Sequence, residues 1–188
     1  HKGIKREVRY RVPNKNQCKE CHSTNDVISP IGPKARNLDK DLNYGDGSKN
    51  QLAYLLQKGV IDSIPTNFQT ISAWEDESQS LEARSRAYLA INCGHCHTPS
   101  GVANSTGLYL DFNEVRPLHL GINKSPVATG RGSGNLNYSI VPGKAHESIL
   151  LFRMISTDPG VMMPESGRSL VHVEASNLIE EWINSMDN

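Results

Sequence analysis

The sequence predicts a mainly α-helical fold with long loops. Several stretches have apolar residues at helical spacing, whereas strand signals are few and short. A further stretch of 44 residues, from Thr98 to Val141, is rich in Gly, Asn and Ser and shows no periodicity. Loops of that length are uncommon and are often functional. These three observations favour helices held together by extended connections.

Each predicted element has its own local signal. A short helix over 50–58 is closed by Gly59, a residue typical of helix ends. A helix over 81–91 carries Leu81, Tyr88 and Ile91 on one face, and 108–110 is the best strand signal. A helix over 146–156 lies between Pro142-Gly143 and Asp158-Pro159-Gly160. The last helix spans 173–186 and has a continuous apolar stripe.

Composition excludes two classes of protein. Lys plus Arg and Asp plus Glu each number 20, so the basic excess of a nucleic-acid-binding protein is missing. No apolar run approaches the ~18 residues that a membrane span needs. The hydrophobic fraction of 37% is low for 188 residues, which leaves room for a large apolar cofactor. Because the chain opens with His1 and not Met, we expect a processed or excised fragment.

The four cysteines form two identical patterns. They are Cys18-Lys19-Glu20-Cys21-His22 and Cys93-Gly94-His95-Cys96-His97, and no cysteine is left over. The pattern C-x-x-C-H is typical of covalent haem c attachment. Two thiols on one turn can each add to a vinyl group of one porphyrin, and the following histidine then lies under the iron as its ligand. The sequence therefore predicts two haem c groups, with His22 and His97 as iron ligands.

Two other uses of CxxC pairs fit less well. Zinc ribbons separate their pairs by about 15–20 residues, but 71 residues lie between Cys21 and Cys93. A thioredoxin-like redox pair needs a βαβ context, which neither motif has. Neither alternative explains a histidine after each pair.

Residues 79–188 resemble a class I cytochrome c. The runs RAYLAINCGHCHTPSG, VPGKAHESILLFRM, MMPESG and LIEEWI follow the family's order of helix, haem motif, middle helix, Met-Pro loop and final helix. The same runs are similar to bacterial exported dihaem cytochrome c modules. The resemblance implies Met163, or alternatively Met162, as the sixth ligand of the second haem. The Met-Pro order favours Met163.

The first half matches the family pattern less completely. The resemblance implies that the Pro33 carbonyl accepts a hydrogen bond from His22, but Ile64-Pro65 stands where Met-Pro is expected. No Met or His occurs from Ser23 to Asn92. The sixth position of the first haem is thus open or bound by water, or it is filled from elsewhere. The candidates are Lys34, Tyr44, Lys58, Met154, His119, His146 and His172.

The spacing of the motifs predicts two fused cytochrome c-like units. Residues 1–78 form the first unit and residues 79–188 the second, with a polar boundary near 75–78. Since 71 residues are too few for two complete domains, the helix around 81–91 is expected to serve both units. Two haems would then lie in one rigid body, close enough to exchange electrons.

The expected function is electron transfer between the two haems and an external redox partner. Haem c attachment takes place outside the cytoplasm, which implies the periplasm or the cell surface. The alternative is a haem enzyme, or a sensor that binds peroxide, nitric oxide or carbon monoxide at an open sixth position of the first haem. Measurements of carbon monoxide binding and peroxide turnover distinguish the electron carrier from the haem enzyme or sensor.

Overall fold

A computed structural model describes residues 5–25, 27–127 and 129–187. Six α-helices occur in these ranges: α1 Lys15–Cys21, α2 Ala35–Leu38, α3 Gln51–Gln57, α4 Leu81–Asn92, α5 Ile149–Ile155 and α6 Val173–Asn184. Three short 3₁₀ helices span Asn104–Thr106, Gly130–Ser133 and Ala145–Glu147. Four strands form two antiparallel pairs: β1 Ser23–Thr24 with β2 Val27–Ile28, and β3 Asp41–Asn43 with β4 Ser48–Asn50.

The prediction of a mainly α fold is wrong. About a third of the chain is helical and about 8% is strand, so the protein is a small mixed α/β protein. Both hairpins lie in the N-terminal half, where turn residues define them. Asn25 has a left-handed φ of 49° after β1, and Gly45 and Gly47 have φ of 88° and 130° between β3 and β4. Their strands have no alternating apolar residues, so periodicity could not reveal them.

The four predicted helices are present with small shifts at their ends. Helices α3, α4, α5 and α6 correspond to the predictions over 50–58, 81–91, 146–156 and 173–186. The predicted strand over 108–110 is wrong, because this segment has no strand partner in the described chain. It lies instead beside the second CxxCH motif, with the Leu110 amide bonded to the His97 carbonyl at 2.8 Å.

Helix α1 was missed because caps and not apolar residues define it. The Asn14 side chain accepts from the amides of Asn16 and Gln17, and the Gln17 side chain accepts from the Asn14 amide. None of the helix's residues is buried.

The main core lies between α4, α5 and α6. Small residues let α4 and α6 approach closely: Ala175 is fully buried, and the Ser85 hydroxyl donates to the Leu178 carbonyl at 3.5 Å. Leu89 and Ile179 fill the same interface. This packing gives α4 a fixed C-terminal end, from which the second CxxCH motif begins.

The prediction that the helix around 81–91 serves two haem units stays a prediction, and α4 packs mainly in one core. Tyr88 and Leu89 of α4 belong to the main core, whose first packed member along the chain is Trp74. Ala90 and Ile91, at the end of α4, line a small cavity together with Ile31, Gly32, Lys34, Arg36, Asn37, Ile71, His95 and Phe112. The predicted boundary over 75–78 is a turn in which the Asp76 carboxylate accepts from the Ser78 amide and hydroxyl.

Candidate cofactor site

The second CxxCH motif continues directly from α4 as a tight turn. The amides of Cys93 and Gly94 both donate to the Leu89 carbonyl, and the His97 amide donates to the Cys93 carbonyl at 2.9 Å. Glycine is required at position 94, since a Cβ there would lie 2.8 Å from the Ala90 carbonyl oxygen. The turn brings the side chains of Cys93, Cys96 and His97 to the wall of one cavity.

A backbone carbonyl orients the His97 ring. Nδ1 of His97 lies 3.3 Å from the Leu108 oxygen, so an N–H at Nδ1 donates there and leaves the lone pair on Nε2. Burial lowers the pKa of His97, which favours the neutral ring that metals bind. Gly107, with φ of 62°, makes the turn that places Leu108.

The cavity at this motif has a volume of about 850 Å³. That lies within the ~300–1,000 Å³ range of cofactor pockets. Apolar side chains supply much of its wall, including Leu108, Leu110, Ile149, Leu150 and Met154. Met163 also lines it, held by the hydrogen bond from its amide to the Arg153 carbonyl at 3.0 Å. Met162 is buried but does not line the cavity.

Cationic side chains occupy part of the same wall. Arg153, Arg168 and Lys124 all line the cavity. The Arg168 guanidinium donates to the carbonyls of Met154, Arg153 and Ser156, while its Nε is buried with no partner among the described residues. Burial lowers the pKa of Arg153 and Arg168, but guanidinium groups remain charged in proteins. Glu20 and Glu165 line the same cavity, and Arg153 is paired with Glu165 at 3.6 Å, so Arg168 is the guanidinium placed to meet an added carboxylate.

An aromatic cluster closes another part of the cavity wall. The Tyr88 hydroxyl lies 3.2 Å from Nδ1 of His172, and the Trp74 ring meets the His172 ring edge-on at 5.0 Å. Tyr88 and His172 both line the cavity. Burial raises the pKa of Tyr88 to about 12, so it stays a neutral hydrogen-bonding group.

The first CxxCH motif is much more open. Helix α1 carries Cys18 and Cys21, and His22 follows as its cap. Cys18, His22 and Pro33 are exposed. No hydrogen bond joins His22 to Pro33 within the described ranges. Cys21 lies near the second motif and lines the large cavity, whereas Cys18 does not.

The two motifs share a spacing that the sequence analysis missed. Gly32 follows His22 by ten residues and Gly107 follows His97 by ten, and their φ angles are 59° and 62°. The next residue is Pro33 in one case and Leu108 in the other. Leu108 thus has, at the second motif, the acceptor role that Pro33 was expected to have at the first. The equal spacing was the available signal.

The two motifs touch each other. The ligand atoms of Cys21, His95 and Cys96 all lie within 4.8 Å of one another, and Cys96 Sγ is 3.3 Å from the Glu20 carbonyl oxygen. Nδ1 of His95 is buried and has no hydrogen-bond partner in the described part of the chain. The neighbouring Cys96 thiol is the main cause that lowers the pKa of Cys21 to about 4. The sequence could not reveal this cluster, since its members are more than 70 residues apart.

The candidate sixth ligands of the first haem are scattered. Met154 and His172 line the large cavity at the second motif. The Tyr44 ring stacks on the Tyr54 ring at 3.8 Å, and the Lys58 ammonium lies over the Tyr54 ring. His146 is 2.9 Å from Glu180, and His119 is 3.7 Å from Glu114. Lys34 lines the small cavity with Gly32. The structure brings none of the seven into a described contact with His22.

Comparisons with models of known protein families, with curated proteins and with solved structures found no match. Within the described residues, none of the helices is both long enough and apolar enough to cross a bilayer.

Proposed function

We propose that this chain is a dihaem c-type cytochrome that transfers electrons between its two haems and an external redox partner. The observation that carries the proposal is the 850 Å³ cavity whose wall includes Cys93, Cys96, His97 and Met163. These residues supply the two thiols and the imidazole that a haem c group requires, and a thioether that can serve as the sixth ligand. They come from two segments of sequence that meet only in the folded chain.

His97 and Met163 would hold the iron of the second haem. The His97 ring is fixed by Leu108, and such a hydrogen bond increases the basicity of the ligating nitrogen. A thioether ligand raises the reduction potential and is common in electron carriers. When bound, haem iron supplies a one-electron couple between its ferrous and ferric states.

The cationic wall fits the two carboxylates of a haem. Arg168 presents a buried Nε without a described partner, and Arg153 lies beside it on the cavity wall. Charge-assisted hydrogen bonds from guanidinium to carboxylate are among the strongest in proteins. Arg168 is thus expected to neutralise carboxylate charge within the cavity.

The N-terminal motif would hold the first haem through Cys18, Cys21 and His22. Apolar side chains near it are unusually exposed: Val27 by 67%, Ile28 by 65% and Ile31 by 38%. A porphyrin attached beside them would remove apolar surface from water, which is favourable by about 25 cal/mol per Å². Pro33 would face His22 as Leu108 faces His97.

The contact between the motifs supports exchange of electrons between the haems. Cys21 belongs to the first motif and Cys96 to the second, and their sulfur atoms lie within 4.8 Å of each other. Thioether attachment at both residues would place the edges of the two porphyrins near this contact. We further propose that the protein is exported, to the periplasm or the cell surface, where haem c is attached and a redox partner docks transiently.

A haem enzyme or gas sensor is the second candidate. It is favoured by the exposure of His22 and by the positions of the seven candidate ligands, which lie in contacts elsewhere. An open sixth position on the first haem would bind carbon monoxide or react with peroxide. The carrier proposal allows carbon monoxide at one haem but not rapid peroxide turnover.

The test is a redox titration of the full chain produced with a haem c attachment system. We expect two reversible one-electron steps, and a red chain that keeps its colour after denaturation. Addition of peroxide to the reduced protein should give no sustained turnover. A chain that binds no haem contradicts the proposal. Rapid peroxide turnover contradicts the electron-carrier function and supports the haem enzyme instead.

A further inference from the structure

We propose that the haem-free chain binds one zinc ion through Cys21, His95 and Cys96. The three ligand atoms lie within 4.8 Å of one another, and they come from both CxxCH motifs. In a tetrahedral zinc site with bonds of about 2.3 Å, two sulfur ligands lie about 3.8 Å apart. The two cysteine sulfur atoms therefore need to move only a short distance toward each other to bind one zinc ion. The site belongs to the chain before haem attachment and does not rest on the electron-transfer function.

The donor set selects a soft divalent ion. Two thiolates and one imidazole suit zinc, whereas magnesium and calcium prefer oxygen ligands. On binding, the two thiols lose their protons to solvent, and the two thiolate charges balance the charge of the ion. Three protein ligands leave the fourth position to a water molecule, an arrangement found at other zinc sites.

An independent observation points to a ligand at this position. Nδ1 of His95 is buried and has no hydrogen-bond partner among the described residues. Buried polar atoms are rarely left unpaired, because the cost is about 1–3 kcal/mol. Coordination of the metal ion through Nδ1 would give this atom its partner.

A backbone hydrogen bond beside the cluster holds the two motifs together. The Asn25 amide donates to the Ser100 carbonyl at 3.2 Å, and this backbone bond does not depend on the protonation of any thiol. The other two cysteines lie outside the cluster. Cys18 is exposed, and Cys93 is in the wall of the large cavity, where burial raises its pKa to about 12.

Zinc at this site would interfere with haem attachment at both motifs at once. Each motif needs its two thiols to form two thioether bonds. The proposed ion occupies one thiol of each motif, Cys21 and Cys96. The zinc-bound chain should therefore accept neither haem until the metal is removed.

The test titrates zinc into the reduced, metal-free full chain that was produced without haem attachment. We expect one zinc per chain. Cys21→Ser and Cys96→Ser should abolish the site, and His95→Ala should weaken it at least tenfold. The matched controls Cys18→Ser, Cys93→Ser and His146→Ala should bind as the native chain does. Cobalt(II) in place of zinc should give a thiolate charge-transfer band that is lost with the same three variants.

A second measurement uses the native chain and so does not depend on the folding of any variant. Alkylation is followed by mass spectrometry with and without zinc. Zinc should protect Cys21 and Cys96 and leave Cys18 reactive. Absence of zinc binding, or protection of Cys18 together with Cys21, overturns the proposal. The haem proposal is tested separately on haem-loaded chain, so failure of one is distinguishable from failure of the other.

Discussion

Nδ1 of His97 lies 3.3 Å from the carbonyl oxygen of Leu108, the residue that follows a left-handed glycine. This contact fixes which nitrogen of His97 is available to a metal. It also links the stability of one turn to the electronic properties of the ligand. Changes at the turn should therefore affect both stability and reduction potential.

Gly107→Ala tests this link. A left-handed φ of 62° costs a residue with a Cβ about 1–2 kcal/mol, so the free energy of unfolding should fall by that amount. The displaced Leu108 carbonyl should accept less well from His97, and the potential of one haem should rise. Gly130→Ala is the control, because Gly130 has φ of 50° and no atom near its added Cβ. Gly130→Ala should lose similar stability with no change in reduction potential. An equal change in reduction potential in both variants would contradict the link.

Met163→Ala should remove the sixth ligand of one haem. Its absorption spectrum should change and its potential should fall, because the thioether favours ferrous iron. Met162→Ala is the matched control. It should cost about 2–5 kcal/mol as a buried truncation and leave both haem spectra as they are. Unchanged spectra in Met163→Ala would exclude Met163 as the ligand.

Arg168→Gln should lower both stability and potential. The side chain donates to three backbone carbonyls, so its loss should cost about 1–3 kcal/mol in urea unfolding. Removal of a positive charge from the cavity wall should stabilise ferric iron and so lower the midpoint potential. Arg131→Gln breaks only the exposed pair with Asp158, worth about 0–1 kcal/mol. Its potential should equal that of the native protein.

Glu114→Gln should flatten the dependence of stability on pH in acid. Hydrogen bonds from the Arg116 side chain, followed by those from the Arg116 and Val115 amides, lower the pKa of Glu114 to about 2. A carboxyl group whose pKa is lowered on folding contributes stability that is full above its unfolded pKa. This contribution is lost as the pH falls from about 4.5 toward 2.

Urea unfolding between about pH 3 and pH 6 measures this effect. The native slope should be steeper than the slope of Glu114→Gln. Some slope should remain, since hydrogen bonds also lower the pKa of Asp39, Asp46 and Asp76. Glu147→Gln alters only an exposed pair with Lys144 and should keep the native slope. Identical slopes in all three proteins would exclude Glu114 as the source.

The sequence predicted the parts of the fold that bury an apolar face. Helices α4 and α6 were found because residues such as Tyr88 and Ile179 recur at helical spacing, and both residues belong to the main core. The two hairpins were not predicted, because positive φ at Asn25 and Gly45 defines them and their short strands show no apolar alternation. The apolar alternation over 108–110 led to the wrong prediction of a strand, because Leu108 and Leu110 are apolar for another reason: they line a cavity.

The site was predictable where it is local in sequence. Each CxxCH motif is one turn of chain, so its residues must lie together. Met163 was found through its position before Pro164, and it lines the cavity with His97. The junction of Cys21 with His95 and Cys96 depends on how two distant segments pack. No local pattern in the sequence carries that information.

Intact mass spectrometry of the purified, denatured chain tests the central claim most directly. The account predicts the mass of the polypeptide plus two haem groups, with all four thiols blocked to alkylation. Cys93→Ala with Cys96→Ala should lose one haem, and Cys18→Ala with Cys21→Ala should lose the other. A mass equal to the bare chain, with four free thiols, would contradict the account.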